Sequence, residues 1–286
     1  MSDAELREVE RALAETPDDL ELLRQQAALL RRSGFPEQAL SALDLAWRLG
    51  AEDLEQELGQ ELAGRRLELE GLSLRYVPAG PFVMGIEGFD ADCSPAHLVR
   101  LSGYWISQIP VTFRALKDDP RFHPNFRRAI EEDPRGWYAR HPFTADRAKA
   151  LECVDFLQDA LEAAGLPDGR LRLPTEAQWE RGLRSTLLRS DATSIYGVER
   201  GITVEWIRDP YAPTAYAEGP RFDPQGPSEG DGQFCVRGVA SLPPDVYPLY
   251  RDAANATGSF TVGGRRDQRT VRHEGGIAFR VVLEPR

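Results

Sequence analysis

Arg172-Leu173-Pro174-Thr175-Glu176-Ala177-Gln178-Trp179-Glu180 is the stretch that decides how this chain folds. Each residue type in it has a mechanical task. Pro174 has a fixed backbone angle and marks a turn. Thr175 is a helix-capping type, and Glu176 enters the first turn, where the helix dipole favours an anion. Leu173 is an apolar anchor before the turn, and Trp179 is one on the helix after it. The pattern predicts a helix over Thr175–Arg184 seated by Trp179.

The surrounding chain is poor in helix. After Gly71, Pro and Gly become frequent, and short β-leaning segments appear at Leu74–Val77, Phe82–Met84, Leu98–Leu101 and Trp105–Ile106. One longer helix is expected over Thr144–Ala164, capped by Thr144, with an apolar stripe of Ala148, Leu151, Val154 and Leu157. From Tyr211 to Gln233 the composition is that of a loop, and Tyr211, Tyr216 and Phe222 favour a packed one. A coil-rich chain leaves many carbonyls without ladder partners, and a buried Arg with five donors satisfies them economically. Arg172, Arg237 and Arg280 are therefore read as ties to loop carbonyls and to carboxylates such as Glu176, Glu180 and Glu205.

Six segments stand in a recognisable order. They are Leu74–Gly85; Ser94–Val99 with Tyr104-Trp105-Ile106 and Pro110-Val111-Thr112; His141-Pro142-Phe143 with the helix after it; Arg172–Glu180; Gly201–Trp206 with Asp209 and Tyr211; and Asp223–Pro227 with Arg237-Gly238 and Gly276–Arg280. Together they resemble the formylglycine-generating enzyme, or sulfatase-modifying factor, family over about residues 70–286. The resemblance implies an α+β, coil-rich, C-type-lectin-like fold. It also implies framework roles for Arg172, Glu176, Trp179, Glu205, Trp206, Arg237 and Arg280.

The same resemblance says which chemistry to look for. The family's oxidases bind copper(I) through two cysteines near the C-terminal end, and soft thiolates suit that ion. The corresponding stretch, Ser241–Ser259, contains no cysteine. Of the three that exist, Cys153 sits in the long helix and reads as a small buried hydrophobe, and Cys93 and Cys235 lie far apart in sequence. The family's iron-dependent sulfoxide synthases draw three histidines largely from an N-terminal bundle, yet no histidine precedes His97. His97, His123, His141 and His273 are scattered, which carries no metal signal. Where calcium-binding relatives have Asn, this chain has Ile202, so Asp191, Glu205, Asp209 and Asp223 are left to offer at most a weak calcium site. No phosphate-binding Gly-rich motif, Gly-x-Ser-x-Gly or Cys-x-x-Cys occurs.

The front of the chain is different. Residues 1–68 read as helical, with Leu20, Leu23, Ala27 and Leu30 and then Ala39, Leu43 and Ala46 at helical spacing. Ser33-Gly34-Phe35-Pro36 supplies a stop and a restart, and Ala51–Leu62 would be a further helix. The spacing resembles a tetratricopeptide unit, with a plain helical hairpin as the alternative. The first 70 residues carry a net charge of -9 out of -11, so a nucleic-acid backbone would be repelled. No apolar run is long enough for a membrane span, no signal peptide is apparent, and the odd, dispersed cysteines suit a reducing, cytoplasmic setting.

Two domains are therefore expected: a helical, tetratricopeptide-like segment over 1–68 and a formylglycine-generating-enzyme-like domain over 69–286. The leading functional expectation is a binding module without catalysis, engaging a protein or peptide, with no cofactor beyond a weakly held calcium ion. Its candidate groove runs past Ser241–Ser259 and the 120–140 loop, where Trp137, Tyr138, Tyr247, Tyr250 and Arg251 are residue types found at interface hot spots. Two alternatives stay open. One is a metal-dependent enzyme with a diverged site on the same scaffold, using Asp, Glu and His123 or His141. The other is a docking protein that works through its front helices.

Overall fold

The computed structural model describes residues 2–85, 93–189, 193–199, 203–219, 221–228, 232–238, 251–255, 259–261, 270–272 and 277–285. Helices α1 (Ser2–Glu15), α2 (Leu20–Arg32), α3 (Pro36–Arg48) and α4 (Glu55–Ala63) form the front. Asp19 caps α2, its carboxylate accepting from the Glu21 and Leu22 amides at 3.0 Å. Gly34, at φ 82°, closes α2 in the left-handed conformation that a glycine adopts readily, and Pro36 opens α3. Ala27, Ala39 and Ala46 are all buried at the α2–α3 contact region.

Helix does not extend to residue 68. Strand β1 (Arg66–Leu69) pairs antiparallel with β2 (Leu72–Val77) across a turn at Gly71. The period-2 alternation of Arg66-Leu67-Glu68-Leu69 wins here, because Leu67 and Leu69 find apolar partners on one face of a sheet. Gly71 has φ 75°, and a Cβ there would stand 2.7 Å from the Ala115 amide nitrogen.

Beyond the front lie two larger sheets and one ribbon. The five-stranded sheet runs β1-β2-β5-β13-β6, with β5 at Tyr104–Ser107, β13 at Val282–Pro285 and β6 at Gly169–Arg172. Strands β7 (Glu205–Pro210), β8 (Gln233–Arg237), β9 (Arg251–Asn255), β10 (Ser259–Thr261), β11 (Thr270–Arg272) and β12 (Ala278–Phe279) form the six-stranded sheet, in the order β11-β10-β9-β8-β7-β12. Strands β3 (Gly80–Met84) and β4 (His97–Leu101) make the two-stranded ribbon. Helix α7 (Arg147–Ala163) backs one core, and α8 (Glu176–Arg189) follows the signature stretch. Helices α5 (Pro124–Glu131), α6 (Trp137–Arg140) and α9 (Ala215–Glu218) are short.

Two details depart from the sequence expectation. Asp146, not Thr144, caps α7, accepting from the Lys149 amide at 2.8 Å. The buried stripe is Ala150, Cys153, Val154, Leu157 and Leu161, whereas Leu151 is 44% exposed and Ala148 is exposed. Arg147 explains the rotation. It is buried against the Phe234 ring and donates to the carbonyls of Ile207 and Arg208 at 2.7 and 2.9 Å, so the helix turns that face inward. In the 211–233 segment Tyr216 is buried, but Phe222 stands 61% exposed.

One apolar cluster runs through both halves of the chain. Leu40, Ala46, Trp47 and Leu58 from the front pack with Tyr76, Phe82, Trp179 and Leu183. At its centre Asp44 of α3 is 0% exposed. Its Oδ1 accepts from the Tyr196 hydroxyl at 2.7 Å, and its Oδ2 accepts from Arg48 Nε at 2.9 Å and from Arg181 Nη2 at 3.1 Å. Removing a buried carboxylate strands the cations that face it, at a cost of about 3–5 kcal/mol. Asp44→Ala is therefore expected to lose roughly that stability in urea unfolding.

Candidate functional site

The signature stretch is built as a capping box. The Gln178 amide donates to Thr175 Oγ1 at 3.2 Å, and the Thr175 amide donates back to Gln178 Oε1 at 2.8 Å. Asp209, at the end of β7, accepts the Glu176 amide at 3.1 Å and completes the α8 start. With α8 so placed, Glu176 and Glu180 point to β8. Arg237 Nη1 donates to Glu176 Oε1 at 2.8 Å, and Nη2 donates to Glu180 Oε2 at 2.9 Å. The Tyr216 hydroxyl lies among the three, 2.9 Å from Arg237 Nη1, 3.0 Å from Glu176 Oε1 and 3.3 Å from Glu180 Oε2.

A second tie runs parallel to the first. Trp179 Nε1 and Arg280 Nε both donate to Glu205 Oε2 at 2.8 Å. The rest of the Arg280 guanidinium serves the carbonyls of Ser107, Gln108 and Glu199 at 2.6–3.0 Å. Burial alone would lower the pKa of Arg237, but Tyr216, Glu180 and Glu176 outweigh it and raise that pKa well above the ordinary value. Burial, reinforced by Glu176, pushes the Tyr216 phenol well above its ordinary range, so it stays a neutral donor.

Beside this network lies a cavity of 510 Å³, with Glu176, Asp209 and Tyr216 in its wall together with His97, Met84 and Ala215. His97 packs edge-on to Tyr216 with ring centroids 5.1 Å apart. Its pKa is lowered, first by burial. Among the described residues no group of three or more His, Cys, Asp and Glu stands close enough to hold a metal ion.

These ties join the signature helix to both sheets, and comparison with known proteins supplies the family. The model of the sulfatase-modifying factor enzyme 1-like domain matches residues 65–264. The chain belongs to that family. Among solved structures, PvdO from Pseudomonas aeruginosa is similar at 19% identity, covering 76% of this chain and 100% of that one, with a TM-score of 0.50. Variable protein 1 of Treponema denticola is similar at 16% identity, covering 75% of this chain and 95% of that one, with a TM-score of 0.52. At such identities the likeness is one of fold. No curated protein matches the chain.

Within the family framework, Glu176, Trp179, Glu205, Trp206, Arg237 and Arg280 are all buried. Arg172 is not. It lies on an outward position of β6, its side chain is 51% exposed, and it approaches Glu284 at 3.4 Å rather than an internal carboxylate. Glu284 also takes Arg208 at 2.7 Å and Gln178 at 3.0 Å. Of the calcium candidates, Asp191 falls outside the described residues. Glu205 accepts Trp179 and Arg280, Asp209 accepts the Glu176 amide, and Asp223 accepts the Ser102 amide and hydroxyl at 2.7 Å each.

The candidate groove is placed in part. Trp137 and Tyr138 lie on α6, while Tyr247 and Tyr250 fall outside the described residues, and Arg251 opens β9 (Arg251–Asn255) with its side chain also outside them. Trp137 is 43% exposed yet firmly held, stacked on His141 at 4.0 Å and packed against Phe113 at 5.5 Å and Tyr138 at 4.9 Å. His123 caps α5, accepting from the Asn125 amide at 3.2 Å. Neither His123 nor His141 lines the carboxylate cavity. His273 falls outside the described residues.

Asp44, Arg147 and Arg181 are buried polar residues that motif reading passed over, and Tyr216, read only as a packing aromatic, also brings its hydroxyl to the carboxylates. Asp44 had a signal, since it is the one charge on the inward face of an otherwise apolar helix run, Leu40-Ser41-Ala42-Leu43-Asp44-Leu45.

Tyr216→Phe deletes the hydroxyl between two buried carboxylates and is expected to cost about 1–3 kcal/mol in urea unfolding. Cys153 is fully buried, and burial pushes its thiol up to about 12. In a thiol-reagent titration of the native protein at neutral pH, Cys153 is expected to stay unlabelled until denaturant is added.

Proposed function

We propose that this chain is a binding module that keeps the family framework without the family's oxidase chemistry, and that it engages a protein or peptide partner. The observation that carries the reading is the exposed, rigid Trp137 on its aromatic base of Phe113, Tyr138 and His141. A large ring held still in solvent loses little conformational entropy on binding, which is the usual property of an interface anchor. The sequence supports the other half of the reading, because Ser241–Ser259 carries no cysteine to bind copper.

The polar groups of the signature stretch support it too. Glu176, Glu180 and Glu205 are engaged by Arg237, Arg280, Trp179 and Tyr216, which gives them a structural role. The alternative is a metal-dependent enzyme with a diverged site using Asp, Glu and His123 or His141, but among the described residues no group of three or more His, Cys, Asp and Glu stands close enough to hold a metal ion. A stoichiometric transition metal in the protein purified from its native host would support that reading over the first.

The test is partner retention. Immobilised full-length protein and its Trp137→Ala variant are compared for partners retained from native-host extract. Loss of the same specific partner with unchanged Tm supports the proposal. Equal retention by both proteins removes the aromatic face from it.

A further inference from the structure

A second surface, built from different elements, carries a more specific ligand chemistry. Between α3, the β3–β4 ribbon and α8 runs a groove of 500 Å³ lined by Trp47, Leu49, Phe82, Val83 and Leu98. Its apolar wall continues into solvent, since Leu49 is 44%, Val83 48% and Leu98 60% exposed. Val83 and Leu98 are register partners, so they form a single cross-strand pair on the outward face of the ribbon. Contiguous exposed apolar surface beside a groove marks an interaction site.

The charge at one end of this groove is out of balance. Near Gly80, Arg48 and Arg181 share one carboxylate oxygen, Asp44 Oδ2, while the Tyr196 hydroxyl takes Oδ1. Two guanidinium groups therefore face one carboxylate. Arg181 Nε is buried and meets no acceptor, and Arg48 Nη2 lies 2.9 Å from Asp44 Oδ2 without the alignment of a hydrogen bond. Other donors of both guanidinium groups are committed to strand β3, Arg48 to the Pro81 carbonyl and Arg181 to the Gly80 carbonyl. The two Nη2 atoms converge, each 3.5 Å from where a Cβ on Gly80 would stand. Both arginines line the groove, Arg48 18% and Arg181 1% exposed, with Arg48 Nη2 itself buried, so an anion meets the outer edge of Arg48 first and the field of Arg181 behind it. Toward Gly85, Arg184 is paired with Glu180, and Glu52 is the one carboxylate among the lining residues.

We propose that this groove receives the C-terminal end of a partner polypeptide, with the chain's carboxylate on Arg48 and its last apolar residues along Val83 and Leu98. The spacing suits that occupant. Arg48 and Val83 line the same groove, and β3 rises about 10 Å from Gly80 to Val83, a length that an extended tail of about three residues spans. A carboxylate matches a guanidinium's planar donors, and a buried, under-neutralised cation pair increases the gain from an added anion. The open side at Leu98 fits a polypeptide that enters and leaves, whereas an acyl chain would call for an enclosed tunnel.

The experiment uses the full chain and two fluorescent octapeptide pools with apolar C-terminal halves, one made as the free acid and one as the amide. Binding of the acid pool about tenfold tighter than the amide pool is expected, with a gap that narrows only modestly as salt is raised, because the arginines are largely buried. Leu98→Asp, on an exposed side chain, is expected to abolish binding with Tm unchanged. Arg48→Met is expected to erase the acid–amide difference. Equal binding of acid and amide, no binding of either pool, or decanoate entering a groove that refuses the acid pool would each overturn the proposal.

Discussion

A guanidinium with no access to water, Arg237, clamped between Glu176 and Glu180 of the signature helix, is the constraint on which the rest of this structure depends. Much of the domain is coil, and coil has no ladder to hold it. The clamp fixes α8 to β8, and Asp209 then holds the first turn of α8 to the end of β7. The parallel tie of Trp179, Glu205 and Arg280 brings β7 and the chain before β13 to the same place. Buried ion pairs are weak sources of net stability but severe when half of one is removed, so such a framework tolerates little change at its charged positions. That is a physical reason for a fold to keep its signature residues even where its chemistry differs.

The same device joins the front helices to the rest. Asp44 and Arg181 form a second fully buried pair, and the apolar cluster around them runs from α2 to α8 without a break. The helical front therefore does not swing on a linker. It forms one wall of the groove whose other walls are the β3–β4 ribbon and α8, and its docking creates a surface that neither part has alone.

How much of this could be read from the sequence follows from which interactions are local. The α8 start was legible because a capping box is written in four consecutive residues, Thr175 to Gln178. The partners of Arg237 and Arg280 could be guessed by residue type, because a buried Arg needs carboxylates and few are at hand. The phase of α7 was not legible, since it depends on Arg147 finding a bed on Phe234, far away in sequence. Strand β1 was hidden by its attachment to a helical run. Arg172 misled because its place in a motif says nothing about which face of β6 it occupies. Asp44 was legible in principle as a charge on an apolar face, but its partner lies 137 residues later. Trp137 and Tyr138 stood out as hot-spot residue types, while the base that Phe113 and His141 give Trp137 depends on the turn of α6 and was not legible.

On the proposed function, this framework serves shape and binding surfaces rather than the oxidase chemistry that the family resemblance implies. Oxygen consumption by the full-length protein, loaded with copper(I) and given a cysteine-containing peptide, tests that claim most directly. The account predicts a rate no higher than copper and peptide give without the protein. Turnover of the peptide cysteine above that background would contradict it.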